Sequence, residues 1–465
     1  MAKKGRPAGR RQSPRKTRRV TSRRAVSATP STVRAGDEPA FAQPEPMPAP
    51  GKFRTPHLSD EGAYNILDEL KKENKIQPLP FPRARGGDEP VLSLEQIWGS
   101  EGPKLSRRLG QNGQIVFHAV GDTGNTRTVK PQEAVADKME ADFDEEQEQD
   151  RPVFFFHLGD IVYSFGEKQY YYDQFYEPYR SYPAPILAIA GNHDGMIAPN
   201  TNAVSLDAFL NNFCATTFAS TPESGGLDRT AMIQPGVYYT FEAPYLRILC
   251  LYSNTLEDPG IISTENGAFP QVTDVQLNYL RVALTRVKTE AFKGALIIAL
   301  HHPIFTVGTK HGGSPNVMKE MDKICQDVGV WPHAVLSGHA HNYQRFTRKM
   351  ADREIPYLIA GNGGHATSRL REKQGGGVLR VPVELPGLGQ GRDTVVFENY
   401  DDQNYGYLRI LVDQRQLRIE YHPASDGRYA KTPDDHVTVD LSAHTLVHFE
   451  VPRTKRTRVA VGRQI

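Results

Sequence analysis

Five short stretches of this chain carry residue types that bind hard cations, and each follows or closes a short apolar run. They are Gly121-Asp122-Thr123-Gly124, Gly159-Asp160-Ile161-Val162-Tyr163, Gly191-Asn192-His193-Asp194, His301-His302-Pro303 and Gly338-His339-Ala340-His341. Carboxylate and phenolate oxygens suit highly charged ions, and imidazole suits iron, zinc and manganese. Seven oxygen and nitrogen donors, the Asn192 amide among them, arriving from five strand ends point to two adjacent metal ions rather than to core packing. Two cations about 3.5–4 Å apart need a shared anion between them. Asp160, central in the series, is the natural bridge. His339 and His341, two residues apart on extended chain, could reach both ions from one strand end. The glycines ahead of Asp122, Asp160, Asn192 and His339 allow sharp turns and a close approach of backbone to the ions.

In this order the motifs resemble the calcineurin-like metallophosphoesterases and, more narrowly, the purple acid phosphatases. The superfamily opens with D-x-H, whose histidine serves the first metal. Here Gly124 stands at that place, and Tyr163 stands three residues after Asp160, the exchange that marks the purple acid phosphatases. The resemblance covers residues 114–346, with Tyr405–His422 similar to the closing strands of the same domain. Nothing resembles the N-terminal fibronectin-type domain of the plant enzymes. The resemblance implies a first metal site of Asp122, Asp160, Tyr163 and His341, and a second of Asp160, Asn192, His301 and His339. It implies Fe(III) on the Tyr163 phenolate, with Fe(II), Zn or Mn as the second ion.

The chemistry so implied is phosphomonoester hydrolysis by a metal-activated hydroxide, because a bound ion lowers the pKa of water to roughly 7. The ions also neutralise the charge of the phosphoryl group during in-line attack. The leaving oxygen needs a proton donor. His193 beside Asn192, His311 ten residues after His301, and His302 are the catalytic candidates. A phosphodiesterase acting on cyclic nucleotides or lipid head groups is the alternative on the same scaffold, since specificity lies in loops. A polyanion-binding protein is a third reading.

The elements that must hold these motifs can be read from hydrophobic periodicity. Ile115–Val120, Val153–Leu158, Ile186–Ala190, Ala295–Leu300 and Ala334–Ser337 read as strands delivering the five motifs. Gly236–Ala243 and Leu246–Tyr252 read as an antiparallel pair turning at Pro244. Helices are expected from Ser59 through Leu70, around Val135, Met139 and Phe143, from Thr273 to Val287, and over Asn316–Val328. Pro356–Ala360, Tyr405–Val412 and Leu417–His422 read as strands of a second sheet, with Gln374–Arg392 a mobile glycine-rich loop. The fold class is therefore α/β, an α+β sandwich of two mixed β-sheets packed face to face and flanked by helices. His118, His157 and His333 are expected to be buried and hydrogen-bonded, His365 to lie at a strand end facing the site, and Tyr343 and Arg345 to brace the last metal-binding loop.

Of 465 residues, 38% are hydrophobic, a low share whose shortfall is concentrated at the N-terminus. Residues 1–36 hold twelve Lys/Arg and no acid, which leaves 44 bases against 54 acids elsewhere: an acidic body with a basic tail. Residues 1–50 read as a disordered basic and Pro-rich tail, able to make weak polyanion contacts. Residues 51–110 read as a lead-in, 111–450 as the catalytic domain, and 451–465 as a basic C-terminal tail. No apolar run reaches membrane-spanning length. Cys214, Cys250 and Cys325 are too scattered for a disulfide framework, and no secretory leader is readable, so a reducing, cytoplasmic setting is expected.

Overall fold

Continuous apolar runs such as Ala295–Leu300, flanked by motif residues, become strands buried on both faces, as parallel strands under covering helices must be. The computed structural model describes residues 38–41, 51–57, 60–73, 75–199, 201–253, 255–308, 311–370 and 379–448. In chain order the strands are β1 (Val91–Ser93), β2 (Gln114–Val120), β3 (Phe155–His157), β4 (Ile186–Ala188), β5 (Tyr239–Ala243), β6 (Leu246–Leu251), β7 (Ala295–Leu300) and β8 (Ala334–Ser337). They continue as β9 (Tyr343–Lys349), β10 (Glu354–Ala360), β11 (Val383–Glu384), β12 (Thr394–Asp401), β13 (Gly406–Asp413), β14 (Gln416–Pro423), β15 (Asp435–Asp440) and β16 (Thr445–Leu446). The helices are α1 (Asp60–Lys72), α2 (Leu94–Ile97), α3 (Gly102–Asn112), α4 (Lys130–Ala141), α5 (Asn192–Gly195), α6 (Asp207–Phe213), α7 (Val275–Thr289) and α8 (Pro315–Val328).

Two mixed sheets result. Among the described residues, one has nine strands in the order β1-β5-β6-β7-β8-β10-β9-β12-β11, the other seven in the order β16-β15-β14-β13-β2-β3-β4. The grouping expected from sequence is corrected here. β10 joins the sheet of β6, β7 and β8, whereas β13 and β14 lie beside β2 and extend the sheet of the first motifs. The physical reason is that a β-strand's pattern reports burial and not partner choice: β10, buried over six residues, is paired in parallel with β8. β2, β3 and β4, at one end of the seven-stranded sheet, pair in parallel, with α4 crossing from β2 to β3.

The core fills the space between the sheets. Phe154, stacked on Phe117 at 4.6 Å, meets Phe241 of the other sheet edge-on at 4.9 Å. Polar ties cross as well: Tyr343 and Arg345 on β9 both bond the Asp435 carboxylate at the head of β15. These two residues thus bind sheet to sheet, a different duty from bracing the last metal-binding loop alone. α8 starts with a proline in its first turn and stops at Gly329, whose φ of +78° and N–H bond to Cys325 O close the helix.

The lead-in packs against this body. β1 pairs with β5, and α1 rests on a small separate apolar cluster of Ala63, Leu67 and Phe165. Within the stretch expected to be a tail, residues 38–41 also pack: the Glu38 carboxylate accepts from Ser100 N at 2.9 Å, and Phe41 meets Trp98 edge-on. The rest of that tail, Ser59, residues 374–378 of the glycine-rich loop and the basic C-terminus lie outside the described residues. All three cysteines are free and buried. Among the described residues no helix is long and apolar enough to cross a membrane.

Candidate metal centre

The donors reach one place because the strands that carry them end there. β2, β3 and β4 of one sheet deliver Asp122, then Asp160 and Tyr163, then Asn192. β7 and β8 of the other deliver His301, then His339 and His341. Ligands bind beyond the carboxyl ends of strands in such sheets. Three of the donors sit in the left-handed backbone region: Asp122 at φ +57°, Asp160 at +56° and His339 at +68°. Such conformations cost roughly 1–3 kcal/mol each and cluster at functional sites. The neighbouring glycines act mainly by leaving room. A Cβ at Gly191 would fall on Asp160 Oδ1, and one at Gly338 would stand 2.6 Å from Asp122 Oδ2.

All seven donors are buried and form two overlapping sets. In the first, the Tyr163 hydroxyl lies 3.1 Å from Asp122 Oδ1, 3.0 Å from Asp160 Oδ2 and 3.2 Å from His341 Nε2. In the second, Asn192 Oδ1 lies 3.1 Å from His301 Nε2 and 3.0 Å from His339 Nδ1. His301 Nε2 lies 3.2 Å from Asp160 Oδ2, so that one carboxylate oxygen borders both sets. Asp160, His301 and His339 each offer a ligand atom within 4.8 Å of the others. The remaining carboxylate oxygens are held by backbone: Asp160 Oδ1 accepts from His193 N, and Asp122 Oδ2 from His339 N.

This donor set fits cations. Tyr163 has one proton for two carboxylates, and His301 already directs Nδ1 to Leu158 O at 2.7 Å, which turns Nε2 toward two oxygens. Among the described residues, buried Asn192 Nδ2 and His339 Nε2 have no hydrogen-bond partner, whereas Asn192 Oδ1 faces inward. The electrostatics agree. Burial disfavours charge on Asp160, yet the charges of His301 and His193 outweigh it and hold its carboxyl far below the usual range. Burial, then the charge of Asp160, pushes Asp122 well up, against the opposing pull of His301. His301 is itself lifted to about 9, because the Asp160 and Asp122 charges overcome its burial. Burial and the surrounding histidines drive His339 and His341 well down, so both stay neutral and keep a lone pair to donate.

The three catalytic candidates are placed differently. His193 is buried beside the Tyr163 ring (4.3 Å between centroids), its Nδ1 bonded to Ser164 O at 2.6 Å. His311 lies 4.6 Å from the His339 ring and 5.0 Å from that of His341, on the wall of a cleft of about 750 Å³. Tyr64, Asp68, Lys71, Arg127 and His365 also line this cleft, which His341 floors. His302 does not line it; its ring nitrogens are committed to Ser253 Oγ and Glu257 O, and its ring packs 4.2 Å from that of His339. His118, His157 and His333 are buried or half-buried and hydrogen-bonded to Tyr182 and Asp142, to Thr123, and to Leu296 N.

Some residues of the site escaped sequence reasoning. Asp194 was visible only as the last letter of a motif, yet its carboxylate accepts from the N–H groups of Asp160, Ile161 and Gly191, and from Val162 at 3.4 Å. Gln174 grips the backbone of Tyr163. Helix α1, to which no chemistry was assigned, brings the Tyr64 hydroxyl to 3.0 Å from His365 Nε2. His365 stacks on the Tyr163 ring at 3.5 Å, nearly parallel. His365 itself did not escape, since its place in Gly361-Asn362-Gly363-Gly364-His365 at a strand end put it facing the site; its stack on Tyr163 and its bond to Tyr64 are what the sequence did not report.

Several solved structures are similar to this chain. A purple acid phosphatase from yellow lupin (Lupinus luteus) seeds is 15% identical with a TM-score of 0.46, over 70% of this chain and 54% of that one. The chain thus spans little more than half of the lupin protein. GAP50, the anchor in the inner membrane complex of Plasmodium, is 12% identical with a TM-score of 0.45, over 70% and 89%. A dimetal phosphatase from Danio rerio is 10% identical with a TM-score of 0.40, over 70% and 99%. No curated protein matches the chain in sequence. The calcineurin-like phosphoesterase family model matches residues 115–343, a span holding all seven donors and the three candidate histidines. The chain therefore carries a calcineurin-like phosphoesterase domain.

Proposed function

We propose that the protein is a binuclear metal-dependent phosphomonoesterase of the purple acid phosphatase type. The observation that carries this reading is the Asp160 Oδ2 atom, within 3.2 Å of both the Tyr163 hydroxyl and His301 Nε2, in a site whose first motif has Gly124 in place of a histidine. Asp122, Asp160, Tyr163 and His341 would hold one ion, Fe(III), and Asp160, Asn192, His301 and His339 the other, Fe(II), Zn or Mn. When bound, the pair supplies charge neutralisation to the phosphoryl oxygens and acidifies water.

The chain's own residues do the rest. His193, anchored through Nδ1, keeps Nε2 for a substrate oxygen. His311 stands at the mouth, beside the rings of His339 and His341, and is the donor of a proton to the leaving alkoxide. Tyr64 and His365 close the cleft on the Tyr163 side and limit water there. Lys71 and Arg127 on the rim favour an anionic ester, tempered by Asp68 and Glu257.

The test combines metal analysis and an optical spectrum with turnover of nitrophenyl phosphate against its bis-nitrophenyl diester. Two metals per chain, a visible band and preference for the monoester are expected. Preference for the diester would move the reading to a phosphodiesterase, and a single bound ion with no turnover would end it.

A further inference from the structure

The glycine at position 124 has a structural counterpart fifty residues away. A Cβ on residue 124 would fall on Gln174 Oε1 and stand 2.5 Å from Ile161 O, so the Gln174 amide fills the space a side chain would need. Gln174 is fully buried on a π-turn, Tyr172–Tyr176, a rare element that often marks functional sites. It takes hold of Tyr163 by both backbone groups: Tyr163 N donates to Oε1 at 2.8 Å, and Nε2 donates to Tyr163 O at 2.9 Å.

The residue is itself fixed. Gln132 Nε2 donates to the main-chain O of Gln174 at 2.6 Å, and the side-chain Nε2 of Gln174 also lies 3.2 Å from His57 Nδ1. The His57 ring packs between Phe53 and Tyr170, with centroids 4.4 and 4.2 Å away. Next to Gln174, the Asp173 carboxylate accepts from Arg54 N and Thr55 N, both at 2.8 Å, and stands 3.7 Å from His57 Nε2. An N-terminal strap is thereby bonded to the same turn that holds Tyr163.

We propose that Gln174 is the positioning residue of the Tyr163 phenol, that Gly124 is small to admit it, and that the strap Phe53–His57 sets its orientation. The inference rests on Tyr163 being a metal ligand. A two-point amide clamp fixes the backbone from which the phenol projects, and ligand geometry tolerates errors of only about 0.5 Å. Gln174→Leu keeps the volume and removes both bonds; Gln174→Glu keeps an acceptor for Tyr163 N and loses the donor to Tyr163 O; His57→Phe cuts the tie to the strap.

The readout is the visible band of the iron-loaded protein, with metal content and a thermal melt. In Gln174→Leu the band should shift or lose at least about half its intensity, and kcat should fall on the order of tenfold with KM changing less. Gln174→Glu and His57→Phe should show smaller shifts of the same sign. A folded Gln174→Leu with an unchanged band and full metal content overturns the clamp. Should that variant fail to fold, unchanged bands in both Gln174→Glu and His57→Phe overturn it instead. A colourless wild type would sink the phenolate reading separately. Crystals of the zinc-loaded Gln174 variants then decide, a displaced Tyr163 ring supporting the clamp and an unmoved one overturning it.

Discussion

The Asp160 carboxylate has two oxygens with separate duties. Oδ2 faces Tyr163 and His301, and Oδ1 takes the His193 N–H. Asp160→Asn keeps the shape but replaces one acceptor by a donor beside other donors, and removes the charge that two cations would share. Loss of both ions by metal analysis and a fall in kcat of at least about a thousandfold are expected, given the several kcal/mol a bridging charge supplies. Tyr163→Phe removes one oxygen only: the visible band should vanish while the fold persists, and retention of the band would exclude Tyr163 as its source. At this scale the sequence was most readable, because a ligand's chemistry is written in its residue type. Gln174 was not readable, since it acts on the backbone atoms of another residue and no motif encodes that.

The elements hold the site through their ends. The loop after β3 passes through the left-handed Asp160, and Asp194 at the start of the short helix α5 collects the N–H groups of that loop. Burial, then the charge of Asp160, lifts the Asp194 carboxyl to about 6. Asp194→Ala would leave several buried donors unsatisfied, at about 1–3 kcal/mol each for those that water does not reach. A drop in unfolding free energy of about 3 kcal/mol, with weakened binding at both metal sites, is expected from denaturant titration of the metal-free and loaded forms. An unchanged midpoint would mean that the loop keeps its shape without this carboxylate. Strands such as Ala295–Leu300 and Ala334–Ser337 were legible to the residue, because double-sided burial leaves an unbroken apolar run. Their allocation to sheets was not, since β10 and β13 differ in partner rather than in pattern. Likewise α1 was legible as an amphipathic helix, but which wall of the cleft it forms depends on docking that periodicity does not report.

The whole molecule is joined at the centre, because one sheet supplies Asp122, Asp160, Tyr163 and Asn192, and the other His301, His339 and His341. Cations there would tie the two sheets, and in their absence protons must offset the buried carboxylates. His301 carries that proton: the charges of Asp160 and Asp122 overcome burial and raise it from 6.5 to about 9. A raised pKa means that the folded state binds the proton more tightly than the unfolded chain. Its stabilising contribution is complete below 6.5 and is lost as pH rises through about 9. On the acid side the sign reverses. Burial lowers His157, His302 and His365 to about 3, so the unfolded chain takes up protons there that the folded state refuses. The raised carboxyls of Asp194, at about 6, and Asp122 oppose this on the acid side, so the expected change is the alkaline one: the metal-free protein should lose melting temperature as pH rises from 6.5 toward 9. Zinc should remove the alkaline fall by displacing the His301 proton, so the gain in melting temperature on adding metal should grow steadily from pH 6.5 to 9. Melts in chelator and in zinc across that range measure it directly, and a metal gain that is flat with pH would show that no proton on His301 stands in for the cations.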